Sequence, residues 1–124
     1  MLTREYNGTR EYNGTRAYRQ SKLAEILFTI DLARELEGSG ITVNALHPAT
    51  FMNTRMVRDF GAPRSTVEEG ALAILKLATS AELDGKSGLY SNGQEEAQAD
   101  AQAYDPQARQ QLNRLSLELT CEGP

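Results

Sequence analysis

Apolar side chains recur at helical spacing in the first half of the chain. Five of them lie three or four residues apart: Leu23, Ile26, Leu27, Ile30 and Ala33. This is the period of one face of an α-helix. Alanine, leucine, glutamate and arginine, which favour helix, fill most of the remaining positions. Because Gly38-Ser39-Gly40 follows and favours a helix end, the pattern predicts a helix over residues 17–37.

Two short apolar runs predict strands. Residues 41–46 read Ile-Thr-Val-Asn-Ala-Leu, which is β-branched at its start, and His47-Pro48 ends the run because proline cannot extend a central strand. The turn signal Gly85–Gly88 leads into a second strand around Leu89-Tyr90. We expect residues 41–46 to be buried. We also expect the two strands to be parallel neighbours, because right-handed crossovers join strands that each follow a helix.

Two further helices are predicted in the second half. Ser65-Thr66-Val67-Glu68 has the form of a capping box, and the helix that it opens would run to about Thr79. Asp105-Pro106 predicts a last helix, with the aspartate as N-cap and the proline in the first turn. That helix carries one apolar stripe: Leu112, Leu115 and Leu119. The polar segment 94–103 is predicted to be a tail without regular structure.

The element order is therefore helix, strand, helix, strand, helix, which is typical of an α/β fold. Two short strands do not form a stable sheet by themselves, so we expect the chain to be part of a larger domain. The N-terminal segment is different. The hexapeptide Thr-Arg-Glu-Tyr-Asn-Gly occurs twice, over residues 3–8 and 9–14, and Asn-Gly pairs favour turns. We predict a repetitive polar loop over residues 1–16, followed by the α/β part over 17–124.

Composition narrows the class of protein. The 124 residues are 40% hydrophobic and 24% charged, as in soluble globular domains. The net charge of −4 disfavours nucleic acid and acidic membranes as partners. No apolar run approaches about 18 residues and the N-terminus is polar, so we expect a cytoplasmic protein. Cys121 is the single cysteine, and His47 has no partners at ligand spacing, so no metal site is expected.

Three tyrosines are each followed four positions later by a cation. Tyr6 and Tyr12 are separated from their arginines by Asn-Gly, whereas Arg-Gln-Ser between Tyr18 and Lys22 is compatible with helix. Residues four apart share a helix face, and the compact ammonium of lysine can favour the ionised form of a nearby phenol. Tyr18 is therefore a candidate general acid or base. By itself the spacing is a weak signal that more often marks a solvated helix start with an incidental cation, because many helices carry it by chance.

Longer segments around this pair resemble the short-chain dehydrogenase/reductase family. AYRQSKLAEILFTIDLAREL (17–36) resembles the active-site helix of that family, and GITVNALHPATFMNT (40–54) resembles the strand and loop that follow it. GKSGLYSNG (85–93) resembles the last strand, and the C-terminal helix resembles that of retinol-dehydrogenase-like members. The resemblance implies the C-terminal portion of a Rossmann-type doubly wound parallel sheet. It also implies NAD or NADP as cofactor and a small alcohol or carbonyl as substrate.

The resemblance also assigns roles. Tyr18 would be the general acid/base, and Lys22 would bind the nicotinamide ribose and support Tyr18. Pro48 would form the turn beside the nicotinamide, followed by Ala49 where the family usually has glycine. Thr50 or Thr54 would contact the cofactor. Because the active-site helix of the family also packs across a subunit interface, the resemblance implies a homo-oligomer through residues 17–37.

The sequence departs from the family at several positions. It contains no Gly-x-x-x-Gly-x-Gly phosphate turn and no Asn-Asn-Ala-Gly segment, and its first serine, Ser21, follows the tyrosine instead of preceding it. Two hypotheses remain open. The chain is a fragment or truncated form of an NAD(P)-dependent oxidoreductase, or it is a non-catalytic family member that forms a small, self-associating helical α/β unit. No residue in the loop after Pro48 selects a substrate.

Overall fold

The structure, a computed structural model, describes residues 11–120. The α-helices are α1 (Gly14–Glu35), α2 (Arg55–Phe60), α3 (Val67–Thr79) and α4 (Pro106–Thr120), and the strands are β1 (Ala45–His47), β2 (Tyr90–Asn92) and β3 (Glu95–Ala97). Two 3-10 helices cover Ala81–Leu83 and Ala101–Tyr104. Among residues 11–120, no helix combines the length and apolarity that a membrane span requires.

Helix α1 begins three residues earlier than the sequence predicts. The Asn13 side chain accepts a hydrogen bond from the Arg16 backbone N–H at 2.9 Å, which makes Asn13 the N-cap. The second Asn-Gly pair therefore caps a helix instead of forming a turn, and the predicted loop over 1–16 is wrong for residues 14–16. The first hexad and Cys121 lie outside the described residues.

The parallel pairing of the two predicted strands is confirmed, since Ala45 of β1 lies opposite Tyr90 of β2. The prediction of a buried strand over 41–46 is wrong in extent and in burial. β1 covers only residues 45–47, and Ile41 is 58% exposed. Side chains stand in for part of the strand ladder before β1: the Val43 N–H donates to Ser87 Oγ and the Leu89 N–H donates to Asn44 Oδ1, both at 2.9 Å. The Gly88 N–H still donates to the Val43 carbonyl, at 2.8 Å.

A third strand lies in the segment that was predicted to be a polar tail. β3 pairs with β2 in antiparallel fashion, so the sheet order is β1-β2-β3. Gly93 has a φ of 60° at the first position of the two-residue loop, as in hairpin turns of type II′. The tail prediction is also wrong for the following 3-10 helix, where Ala103 is completely buried.

The core lies between α1, the 3-10 helix Ala101–Tyr104 and α4. Its buried apolar members are Leu27, Ile30, Ala103 and Ala108. Leu112 packs against this cluster, but Leu115 and Leu119 of the predicted α4 stripe are 44% and 77% exposed. The stripe therefore contributes to the core only at its first position.

Helix α3 ends at Thr79, as predicted, but its capping box is shifted by one residue. Thr66 Oγ1 accepts from the Glu69 N–H and Glu69 Oε2 accepts from the Thr66 N–H, each at 3.1 Å. The Ser65 hydroxyl donates instead to the Thr50 carbonyl across the loop. The sequence offers both registers, and the long-range contact of Ser65 selects the second.

Candidate functional site

Tyr18 and Lys22 lie one turn apart near the start of α1, so their predicted placement on a helix is confirmed. Lys22 Nζ lies 5.8 Å from the centroid of the Tyr18 ring, within the range of a cation–π contact. Tyr12 precedes the helix and is 83% exposed. Between these two tyrosines, only Tyr18 shares a helix face with the cation four positions later. Tyr6 lies outside the described residues.

A carboxylate that the sequence reasoning missed lies beside Lys22. Glu25 Oε1 accepts a hydrogen bond from Lys22 Nζ at 2.9 Å, and Oε2 lies at 3.3 Å. This hydrogen bond and the charge of Glu25 raise the pKa of Lys22 above its usual 10.5. The i, i+3 spacing from Lys22 on a helix was the available signal.

The pair lies on an open surface. Tyr18 is 62% exposed, and the Lys22 and Glu25 side chains are 51% and 66% exposed. An ion pair between exposed side chains contributes little because water and salt screen it. Lys22 can therefore exchange the Glu25 carboxylate for another acceptor at small cost.

The other predicted cofactor residues follow β1. Pro48 comes directly after the carboxyl end of that strand, the edge at which open parallel sheets bind ligands. The Thr50 hydroxyl forms a 3.2 Å hydrogen bond with His47 Nε2. Thr54 caps α2, and its Oγ1 accepts from the Val57 N–H at 3.4 Å. Thr54 thus has a local structural role that the sequence did not indicate.

The loop after Pro48 contains a residue in an unusual conformation. Phe51 has a φ of 47°, in the left-handed region that few residues other than glycine adopt. Its carbonyl accepts from the Arg64 N–H at 2.9 Å, and the Arg64 guanidinium lies 5.4 Å from the Phe51 ring centroid. Such backbone positions concentrate at functional sites. No local sequence pattern predicts this conformation.

Within residues 11–120 the structure brings Tyr18 and Lys22 together, but no hydrogen bond or ion pair joins them to Pro48, Thr50 or Thr54. The described part of the chain also contains no group of three potential metal-ligating side chains. A cleft is present at the other end of α1, between Arg34, Ile41 and Tyr104, and Tyr18 does not line it. The Tyr18–Lys22 pair remains the candidate site because a phenol can exchange a proton and the neighbouring ammonium can donate hydrogen bonds.

The exposed groups of this pair fit part of a nicotinamide cofactor. A lysine ammonium carries three N–H donors, and a phenol both donates and accepts. Glu25 occupies one side of the Lys22 ammonium. The remaining donors can reach the neighbouring hydroxyl oxygens of a ribose. The Thr50 hydroxyl is already hydrogen-bonded to His47, so its fit is weaker.

Comparison with known proteins shows which family and which relatives the chain is similar to. The family model for short chain dehydrogenase matches residues 5–65. Human Retinol dehydrogenase 14 is 36% identical over 111 residues, which cover 78% of this chain and 33% of the relative. Human Retinol dehydrogenase 13 is 37% identical over 108 residues, covering 75% and 33%, and human Polyprenol dehydrogenase is 35% identical over 114 residues, covering 82% and 34%. No solved structure is significantly similar to the chain.

The chain belongs to the short-chain dehydrogenase/reductase family. Within that family it is similar to retinol-dehydrogenase-like members, and it spans about a third of the length of the curated relatives it matches. The parallel β1–β2 pair and its helices agree with a partial Rossmann-type α/β fold.

Proposed function

We propose that this chain carries the proton-transfer pair of an NAD(P)-dependent oxidoreductase that interconverts alcohols and carbonyls. The observation that carries the proposal is the position of Lys22 Nζ, 5.8 Å from the Tyr18 ring on one helix face. This pair lies inside the segment that matches the short chain dehydrogenase family. NAD or NADP is the cofactor of the proposal.

Tyr18 is the general acid/base in this proposal. A nicotinamide cofactor, when bound, supplies the hydride that reduces a carbonyl carbon. The Tyr18 hydroxyl then donates its proton to the carbonyl oxygen, and in the reverse direction it accepts the proton of the alcohol. Proton transfer between Tyr18 and the substrate oxygen avoids a free alkoxide. General acid–base catalysis of this kind contributes about 10²–10⁴-fold to a rate.

Lys22 has two tasks in the proposal. Its ammonium donates hydrogen bonds to the ribose hydroxyls next to the nicotinamide. Its positive charge also stabilises the negative charge on Tyr18 after the proton has left. Glu25 adds to the preference of Lys22 for its cationic form. Pro48 and Thr50, at the carboxyl end of β1, are the loop residues that the proposal places beside the cofactor.

The substrate of the proposal is a small alcohol or its carbonyl partner. Relatives at 35–37% identity are named for retinol and for polyprenol. Retinol and a polyprenol, with their aldehydes, are therefore the first compounds to test.

Titration of the ¹⁵N-labelled chain with NADH and NADPH, followed by amide chemical shifts, tests the proposal. We expect shifts at Tyr18, at Lys22 and in the loop 48–54. Lys22→Met removes the ammonium and should weaken binding about tenfold, the value of one good charged hydrogen bond. Lys86→Met, in the turn before β2, is the matched control and should change nothing. The absence of shifts at millimolar cofactor, or equal affinity of the Lys22→Met variant, would contradict the proposal.

The exposure of Tyr18 favours a second candidate function, a non-catalytic chain. A tyrosine that is 62% exposed and a lysine that is 51% exposed do not by themselves exclude water from a reaction. In that case the chain would bind a partner and turn over no substrate. Absence of cofactor binding in the titration would favour this candidate.

A further inference from the structure

The described residues contain two Asn-Gly pairs in different surroundings. Asn13-Gly14 lies at the start of α1, and Asn92-Gly93 lies at the turn between β2 and β3. Both asparagines are exposed. An asparagine before glycine loses its side-chain amide more easily than other asparagines, because glycine has no Cβ to keep its backbone nitrogen away from the asparagine side chain. The two pairs therefore share one chemistry and differ in what surrounds them.

The Gly93 N–H is held in the sheet. It donates to the His47 carbonyl at 2.8 Å, and Asn92 lies opposite His47 on one side and Glu95 on the other. A backbone nitrogen must lose its proton before it can attack a carbonyl carbon, so this hydrogen bond protects the pair. Attack here requires β2 to open locally, and only a small fraction of molecules is open at any time.

The Gly14 N–H is not held in this way. Gly14 is the first residue of α1, where N–H groups have no partner within the helix, and no residue within 11–120 accepts from it. The Asn13 amide is polarised, because the Arg16 N–H donates to its Oδ1 at 2.9 Å. This oxygen gains negative charge when a nucleophile adds to Cγ, and a backbone N–H aimed at it stabilises that charge.

We propose that Asn13 is a site of spontaneous modification, at which the Gly14 backbone nitrogen cyclises onto the Asn13 side chain. The Gly14 nitrogen forms a bond to Cγ of Asn13, and the bond from Cγ to the amide nitrogen breaks. The amide nitrogen leaves as ammonia and carries away the proton that the Gly14 nitrogen loses. One water molecule then opens the succinimide ring at either carbonyl, which gives aspartate or isoaspartate. The proposal is independent of the proposed catalytic role of Tyr18.

The two products act differently on α1. Aspartate keeps an oxygen at the N-cap and adds a negative charge at the positive end of the helix, and both effects favour the helix start. Isoaspartate lengthens the main chain by one carbon atom, which displaces the oxygen that accepts from the Arg16 N–H. Formation of isoaspartate should therefore uncap the helix that carries Tyr18 and Lys22.

Timed incubation of the folded 124-residue chain at mildly alkaline pH tests this proposal. The chain carries Asn7→Ser, because residues 5–10 and 11–16 have the same sequence and would give identical tryptic peptides. Peptide mass analysis measures conversion at Asn13 and Asn92 in one sample, and an isoaspartate-specific methyltransferase with a labelled methyl donor detects isoaspartate. Asn13 should convert at least about tenfold faster than Asn92, whose backbone hydrogen bonds must open first. Equal rates at the two sites overturn the proposal.

Two further measurements separate the effect of structure from that of the dipeptide. In concentrated urea, where β2 no longer pairs, the rate at Asn92 should approach the rate at Asn13. Gly14→Ala should slow conversion at Asn13 alone, because the added methyl group hinders the attack. This methyl group would lie 3.7 Å from the Tyr12 ring, an ordinary contact, and circular dichroism verifies that α1 still forms. An Asn92 rate that stays low in urea, or an Asn13 rate that Gly14→Ala leaves unchanged, overturns the proposal.

Discussion

Arg109→Met should lower the free energy of unfolding by about 2 kcal/mol, because it removes a buried charged donor from the Ala103 carbonyl and from the Asp31 carboxylate, which is 33% exposed. The Arg109 side chain is 2% exposed. Its Nε donates to Asp31 Oδ1 at 2.5 Å, and one terminal nitrogen donates to the Ala103 carbonyl at 3.0 Å. These bonds tie α4 to α1 and to the 3-10 helix between β3 and α4. Methionine fills similar space but leaves the carboxylate and the carbonyl without their donors.

Urea unfolding followed by circular dichroism measures this effect. Arg114→Met is the matched control, because Arg114 forms an exposed pair with Glu118 in the same helix at 3.5 Å. We expect this control to change stability by less than about 0.5 kcal/mol. Replacing Arg109 and Asp31 together with Met and Leu should recover part of the loss, since neither charge is then left unpaired. A loss below about 1 kcal/mol for Arg109→Met would show that the buried pair does not hold α4 in place.

The 124-residue chain alone should show no measurable NAD(P)H turnover. Hydride transfer requires the nicotinamide and the substrate carbon to be held within near-contact distance. The sequence contains no glycine-rich phosphate turn, and Tyr18 and Lys22 can contact only the nicotinamide end of a cofactor. Both side chains are more than half exposed, so water screens the effect of Lys22 on Tyr18.

The assay measures NADH and NADPH absorbance with retinal and a panel of short aldehydes, at high chain concentration. A rate that falls when Tyr18 is replaced by phenylalanine would contradict this prediction. It would mean that a second copy completes the cofactor pocket. A rate that the Phe substitution leaves unchanged would point to a contaminating enzyme.

Local signals in the sequence predicted the elements that local interactions determine. The helix-compatible spacer between Tyr18 and Lys22 placed the pair correctly on α1. Asp105-Pro106 correctly marked the start of α4, where the Gln107 N–H donates to Asp105 Oδ1 at 2.9 Å. The parallel pairing of β1 and β2 also followed from the order of helices and strands.

Contacts between residues that are far apart in the sequence explain where the predictions from local patterns were wrong. Before β1, bonds of Asn44 and Ser87 to backbone N–H groups take the place of part of the strand ladder, and they join residues more than 40 positions apart. Ser65 is drawn from its predicted capping role by the Thr50 carbonyl. Glu25 was missed for a different reason: the prediction for this site rested on the cations four positions after each tyrosine, and the carboxylate at i, i+3 from Lys22 was not part of that pattern.

The roles of Pro48, Thr50 and Thr54 stay predictions. Their loop does follow a strand of the parallel pair, which was expected. Its conformation depends on the left-handed Phe51 and on Arg64, which no local pattern signals. The predicted oligomer through residues 17–37 also stays a prediction. Because α1 uses Leu27, Ile30 and Ala33 in the core, Phe28 is its main exposed apolar side chain beside Tyr18.

A chimeric enzyme tests the central claim, the catalytic role of Tyr18, most directly. The segment of human Retinol dehydrogenase 14 that matches this chain would be replaced by the corresponding residues of this chain, and retinol oxidation would be measured with NAD and NADP. We expect an active chimera whose kcat falls about 10²–10⁴-fold on Tyr18→Phe. Tyr12→Phe, which alters the exposed tyrosine before α1, should leave kcat unchanged. A folded, cofactor-binding chimera that is inactive, or that is equally active with phenylalanine at position 18, would contradict the account.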